Sequence, residues 1–254
     1  MDITTSKADG ILSIGFTRPD KKNAITADMY QTMADALRDG ETDSAVRAIV
    51  ILGLPEIFTA GNDLEDFVKN TQISGDRPVA QFMCALNEAG KPVVAAVSGA
   101  AVGIGTTMLM HCDMVYAADN AKFSMPFSQL GLCPEYASSL LLPRLAGYQR
   151  AAEKLMLGEA FRADEALAMG LVNKVLPLDE LLPYAYAQAA KLVALPASSV
   201  RVTKQLLKAG QVEAVNARML EENQHFGRML AQPEAREAFK AFFEKRRPDF
   251  KQFA

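Results

Sequence analysis

The chain of 254 residues is short of the side chains that several chemistries require. It has two histidines: His111 ends an apolar helical stretch beside Cys112, and His225 lies between Glu222 and Arg228 in a helical pattern. Both read as structural or surface residues, so a Ser-His-Asp relay has little to work with. Three cysteines, Cys84, Cys112 and Cys133, are an odd number, spaced unlike a zinc site and set in apolar surroundings. They read as buried free thiols, since buried cysteine behaves as a small hydrophobe. No Gly-x-Gly-x-x-Gly loop follows the first strand, and neither a Gly-Lys-Ser/Thr phosphate loop nor a His-Glu-x-x-His pair occurs. Dinucleotide, nucleotide triphosphate and zinc-protease sites therefore lack their minimum parts.

An excess of positive charge is missing too. Lys plus Arg number 27 against 30 Asp plus Glu, a net charge of -3 that repels a polyanion at long range and argues against nucleic acid as a partner. The longest apolar stretch, Pro92 to Met110, is interrupted by Ser98, Gly99, Gly103, Gly105, Thr106 and Thr107. It reads as buried strand, turn and helix, with no membrane span expected. Asp2, Lys7 and Asp9 precede Ile11 without an apolar core between them, and Gln252-Phe253-Ala254 is no peroxisomal address, so the cytoplasm is the expected compartment.

Half of the residues are hydrophobic, enough to build one large domain or two small ones. Ile11 to Thr17 reads as a strand ending at Arg18-Pro19-Asp20, and Thr26 caps a helix to about Arg38. Ala45 to Leu54 reads as a strand, Val79 to Ala89 as a helix, and Val93 to Ser98 as a strand. Gly103 or Gly105 opens a short helix to His111, and Met114 to Ala117 is the next strand. Strands alternating with helices predict an α/β domain with largely parallel, buried pairing. Composition changes near Pro196, after which three helical stretches follow, roughly 198–208, 211–230 and 233–245. The division expected is a core over 1–195, carrying the site, and a helical subdomain over 196–254.

Two glycine-bearing turns stand out. Phe58-Thr59-Ala60-Gly61-Asn62-Asp63-Leu64 joins the end of a strand to a helix that Asp63 is suited to cap. Gly99-Ala100-Ala101-Val102-Gly103-Ile104-Gly105 feeds a helix whose first amides are unpaired and carry the positive end of its dipole. On spacing alone both read as tight turns. Aimed at one point, they make an oxyanion hole.

Taken together and in order, Arg18-Pro-Asp-Lys-Lys-Asn-Ala24, the first glycine turn, Ser98 to Gly105 with Cys112-Asp113, Ala160 to Ala166 and Gly170 to Val175 closely resemble the enoyl-CoA hydratase/isomerase (crotonase) superfamily. The resemblance covers nearly the whole chain. It implies a spiral of strand-strand-helix turns, with C-terminal helices that pack a homotrimer or a dimer of trimers. It also implies an acyl-CoA thioester substrate, whose carbonyl oxygen is held by the backbone amides that fall on Asn62 and Ile104. Coenzyme A is then part of the substrate, and no metal or redox cofactor is implied. The CoA end is expected near Lys22, Ala24 and the Ala60-Gly61-Asn62-Asp63-Leu64 turn, and the cluster Lys245-Arg246-Arg247 is either a CoA contact or a solvated helix end. Phe67, Phe82, Leu86, Met125, Phe127 and Leu130 are candidates for an acyl pocket.

Hydratases of the superfamily use two glutamates to activate water, and those positions match Thr107 and Phe127. Neither side chain titrates near neutral pH, which disfavours hydration. A carboxylate does occur eight residues after Phe127, in Leu130-Gly-Leu-Cys-Pro-Glu-Tyr136. That segment resembles the peroxisomal branch of the Δ3,Δ2-enoyl-CoA isomerases, in which the matching residue, here Glu135, is the single base. Apolar neighbours are expected to raise its pKa. Read without the resemblance, Glu135 fits equally as a carboxylate at a helix start. Dienoyl-CoA isomerisation, dehalogenation, thioester hydrolysis and non-catalytic acyl-CoA binding are the alternatives on the same scaffold. Ile104 stands where hydratases usually have glycine, so its side chain is expected to narrow the approach to the thioester. Asp113 is expected to form structural hydrogen bonds.

Overall fold

The computed structural model describes residues 2–65 and 77–253. Within them, the strands divide between two sheets, and the third to the eighth are dealt to the two alternately. β1 (Ile3–Ala8) and β2 (Ile11–Phe16) form an antiparallel hairpin turned by Asp9-Gly10, both at positive φ. β3 (Ala48–Leu52), β5 (Val93–Val97), β7 (Met114–Ala118) and β10 (Lys174–Leu176) extend β2 in parallel, giving a six-stranded sheet in the order β1-β2-β3-β5-β7-β10. β4 (Ile57–Thr59), β6 (Ala100–Val102), β8 (Lys122–Ser124) and β9 (Phe161–Arg162) form a four-stranded sheet in that order, parallel except between β8 and β9. One turn of chain thus gives a strand to the larger sheet, a strand to the smaller one, and then a helix. This is the α/β strand-strand-helix spiral expected from the resemblance.

The larger sheet is covered on both faces, which explains why its strands read as continuous apolar runs. Val93, Ala95 and Val97 face the main core, while Val94 and Ala96 face a second one. That second core is closed by Leu181, Ala185 and Ala189, spaced four apart on α7 (Leu178–Ala194). On the main side lie α1 (Ala27–Thr42) and α2 (Pro78–Glu88), the first capped by the Thr26 hydroxyl, which accepts from the Met29 amide. α1 runs past the expected end at Arg38, because Gly40 lets the helix pass Leu12 closely: a Cβ there would meet Leu12 Cδ2 at 2.6 Å.

After β6 the expected single helix is α3 (Ile104–Thr107) followed by a 3₁₀ turn, Met108–His111. α4 (Ser138–Ala146), α5 (Tyr148–Leu157) and α6 (Ala163–Ala168) precede β10. The C-terminal stretches are α8 (Ala197–Lys208), α9 (Val212–Leu230) and α10 (Pro233–Phe243). Asp113 joins the two regions, its Oδ2 accepting from the Val93 amide and from Lys204 Nζ of α8, each at 2.7 Å. The cysteines are free, but the expectation that they are buried is not met: Cys84 is exposed, and Cys112 and Cys133 are half-buried. α2 turns Phe82, Met83 and Leu86 into the core, and the helical period leaves Cys84 on the outer side. Among the described residues no helix is long and apolar enough to cross a membrane.

Candidate active site

β4, β6 and β8 lie side by side and parallel, so the turns leaving their C-terminal ends gather at one edge of the smaller sheet. The first is fixed from three directions. Asn23 Nδ2 donates to the Ile57 and Phe58 carbonyls at 3.1 and 3.0 Å, and Arg18 Nη1 donates to Asp63 Oδ2 at 2.7 Å and to the Ala24 carbonyl at 2.8 Å. Tyr30 OH donates to Asn62 Oδ1 at 2.6 Å. The Ala60, Gly61 and Asp63 amides are bonded within this frame, to Lys22 O, Thr59 Oγ1 and Ile25 O. The Asn62 amide has no acceptor among the described residues. As expected of an N-cap, Asp63 accepts from the Glu65 amide where the chain turns helical at Leu64.

In the second turn Gly103, at φ +57°, donates to the Ser124 carbonyl, while its own carbonyl receives the Thr106 and Thr107 amides. That leaves the Ile104 amide, at the start of α3, without an acceptor among the described residues. The two turns touch: a Cβ on Gly61 would meet Val102 O at 2.7 Å, and one on Gly105 would meet Thr59 Cγ2 at 2.6 Å. The Ile104 side chain is buried in the main core.

The third element is the segment after β8. Glu135 is buried, and its Oε1 has no hydrogen-bond partner among the described residues. Burial, reinforced by the nearby Glu222 charge, pushes its carboxyl up to about 8. The following residues, Tyr136 and Ala137, are both at positive φ, 59° and 55°, which non-glycine residues adopt only under constraint. His111 helps to hold them, stacked on the Tyr136 ring at 3.7 Å between centroids with Nε2 donating to the Tyr136 carbonyl at 2.9 Å. Burial lowers the His111 pKa to about 4, so the ring is neutral and structural. His225 is exposed and pairs with Arg228.

Asn62, Asp63 and Glu135 line one narrow pocket, about 70 Å³ in volume, with Tyr30, Val79, Met83, Arg77, Asn223 and Phe226 among its other walls. Of the acyl-pocket candidates, Phe82 and Leu86 are buried in the core, because α2 presents Val79 and Met83 to the pocket instead; Met125, just after β8, is buried in the core as well, and Leu130 packs against it. Phe67 lies outside the described residues. Phe127 stands behind the wall, edge-on to Phe226 with centroids 6.5 Å apart. Lys22 is exposed, Ala24 and Leu64 are half-buried, and Arg246 of the C-terminal basic cluster is engaged by Glu237 and Glu244. The sequence reading missed Tyr30, Asn223 and Phe226. The buried, four-apart spacing of Glu222, Phe226 and Leu230 on α9 was the available signal. Among the described residues no group of three His, Cys, Asp or Glu is placed to hold a metal ion.

The model of the enoyl-CoA hydratase/isomerase family matches residues 6–253. Enoyl-CoA delta isomerase 2 of Rattus norvegicus is 37% identical over 85% of this chain, which spans 56% of the rat protein's length. The 2,3-dehydroadipyl-CoA hydratase of Escherichia coli is 31% identical, covering 98% of each chain. A crystal structure of an enoyl-CoA hydratase/isomerase from Pseudoalteromonas atlantica superposes with a TM-score of 0.94 at 40% identity, over 98% of this chain and 100% of that one.

Proposed function

Because the chain belongs to the enoyl-CoA hydratase/isomerase family, we propose that it is a Δ3,Δ2-enoyl-CoA isomerase that moves a double bond within an acyl-CoA thioester. The observation that carries this reading is the Glu135 carboxyl, buried with an unpaired oxygen and a pKa near 8 in the pocket that Asn62 also lines. Glu135 takes a proton from C2 of the 3-enoyl ester. The electrons pass into a dienolate whose oxygen accepts from the Asn62 and Ile104 amides. The protonated Glu135 then delivers its proton to C4, leaving the 2-enoyl ester and the carboxylate as it began. A carboxylate of raised pKa is a stronger base than an ordinary one, and preorganised donors favour the charge as it develops.

Thr107 and Phe127, at the positions of the hydratase glutamates, support one-base isomerisation over addition of water. The likeness to the E. coli hydratase keeps hydration as the second reading. The CoA part of the substrate runs along Lys22, Ala24 and the Ala60-to-Leu64 turn in this proposal, with Lys22 as a point charge for phosphate. No further cofactor is needed. Assembly as a homotrimer or dimer of trimers agrees with the apolar side chains left exposed on α8 and α9, among them Leu206, Leu207 and Leu220 at 69%, 74% and 62% exposure.

The test is to incubate the protein with a 3-enoyl-CoA and, separately, a 2-enoyl-CoA, and to follow products by chromatography with mass detection. Conversion of the first to a 2-enoyl ester of unchanged mass, lost in Glu135→Gln, is the expected result. Gain of one water by the second in place of that conversion sinks the isomerase reading in favour of the hydratase.

A further inference from the structure

Glu222 belongs to α9, far from Glu135 in sequence, yet it grips the backbone just beyond that residue. Its Oε2 accepts from the Ala137 amide at 2.6 Å, and its Oε1 accepts from the Ser139 amide at 3.0 Å and from Ser139 Oγ at 2.5 Å. These amides open α4, whose own flanking residue, Ala137, provides no side-chain cap. Glu222 therefore caps α4 from outside the helix while fixing the left-handed Tyr136-Ala137 pair from the side opposite His111. Tyr136 OH, donating to Met83 O at 2.8 Å, and Ser138 Oγ, donating to Glu135 O at 2.6 Å, complete the clamp. The Glu222 side chain is 5% exposed, and Phe226, one turn on, lines the pocket. A single helix thus supplies a wall of the pocket and the hold on its carboxylate.

We propose that Glu222 is the positioning residue for Glu135, holding the Tyr136-Ala137 turn so that the Glu135 carboxyl lines the pocket, its Oε1 without a hydrogen-bond partner among the described residues. This rests on the reading of Glu135 as the base. The groups around Glu135 are Glu222 and Arg218 on α9, Cys133 and Tyr136 on its own segment, His111 behind them, and Asp63 and Arg77 across the pocket. The Glu222 charge reinforces the desolvation that raises the Glu135 pKa, so one residue both aims the base and strengthens it.

The test compares wild type, Glu222→Gln and Ser139→Ala. Glutamine removes the charge and turns a donor toward one backbone amide. Turnover of a 3-enoyl-CoA is measured together with proton–deuterium exchange at C2 of butanoyl-CoA, which needs only enolate formation. Glu135 is titrated by its infrared carboxyl band, assigned by its loss in Glu135→Gln. In Glu222→Gln, kcat and exchange are expected to fall about 10- to 100-fold with KM little changed. The Glu135 midpoint is expected to drop by about one unit. Ser139→Ala keeps the charge, so its midpoint stays at the wild-type value while kcat falls by about threefold or more.

A folded Glu222→Gln with wild-type kcat, exchange and midpoint overturns the proposal. If that variant does not fold, Ser139→Ala with undiminished kcat overturns it. If the wild type leaves 3-enoyl-CoA unchanged while exchange and midpoint still respond to Glu222→Gln, the isomerase reading falls and the positioning role stands.

Discussion

Gly61 runs so close to Val102 that a Cβ on it would lie 2.7 Å from the Val102 carbonyl oxygen. Its φ of +86° adds backbone strain to that clash for any other residue. Gly61→Ala is expected to part the two amide-bearing turns and to lower kcat by about 10²- to 10³-fold, the usual cost of a lost oxyanion donor. Steady-state kinetics, with the melting temperature recorded alongside, checks whether the loss is local.

The proposed mechanism makes the pH profile depend on Glu135. In it only the carboxylate form abstracts a proton, and the pKa is raised to about 8. The rate kcat/KM is expected to climb with pH and level off above that value, instead of being flat from pH 5 as for an ordinary glutamate. Initial rates between about pH 6 and pH 10 decide this, with Glu135→Gln as the blank.

The same shift has a cost in stability, of fixed sign. From the ordinary glutamate value of 4.5 up to about 8, the folded chain keeps a proton on Glu135 that the unfolded chain releases, so stability contributed by the neutral carboxyl is lost as pH rises through that window. Glu135→Gln is expected to melt near the wild-type temperature at about pH 4 and to be more stable than wild type at about pH 9, by on the order of 1–3 kcal/mol. Thermal unfolding at the two pH values is the measurement.

Lys204 donates to Asp113 and to the Lys91 carbonyl, each at 2.7 Å, with its side chain 7% exposed. Removing one partner leaves a partly buried charge. Lys204→Ala is expected to lower unfolding free energy by roughly 3 kcal/mol. Denaturant unfolding with an unchanged m-value would show that the native fold is otherwise retained.

Phe226 closes one side of the pocket and buttresses Phe127. Phe226→Ala is expected to cost about 3 kcal/mol of stability by cavity formation. It is also expected to shift preference toward longer acyl chains, seen as a lower KM for long than for short 3-enoyl esters.

Elements whose stability is decided locally were legible in the sequence. The Thr26 cap, the apolar runs of β3 and β5 and the three C-terminal helices fall within a few residues of where their patterns put them. The two glycine turns were legible because positive φ and close approach leave a composition trace at Gly61 and Gly103. What the sequence hid depends on distant pairing. Nothing near Glu135 announces Glu222 or His111, and whether α2 offers Phe82 or Met83 to the pocket depends on a rotation set by the sheet beneath it. The separation into two sheets was hidden for the same reason, since β4, β6 and β8 are too short to show a period of their own.

The alternation of β3 to β8 between the sheets separates the segments that line the pocket from those that build the core. Each winding of the chain leaves one ingredient at the rim of the smaller sheet: an amide after β4, another after β6, and a carboxyl-bearing segment after β8. The larger sheet, packed against a core on each face, is the support beneath these segments. On the proposed mechanism, an exchange in the third rim segment would therefore alter the base while leaving the two amides for a thioester oxygen in place, with no rebuilding of the framework.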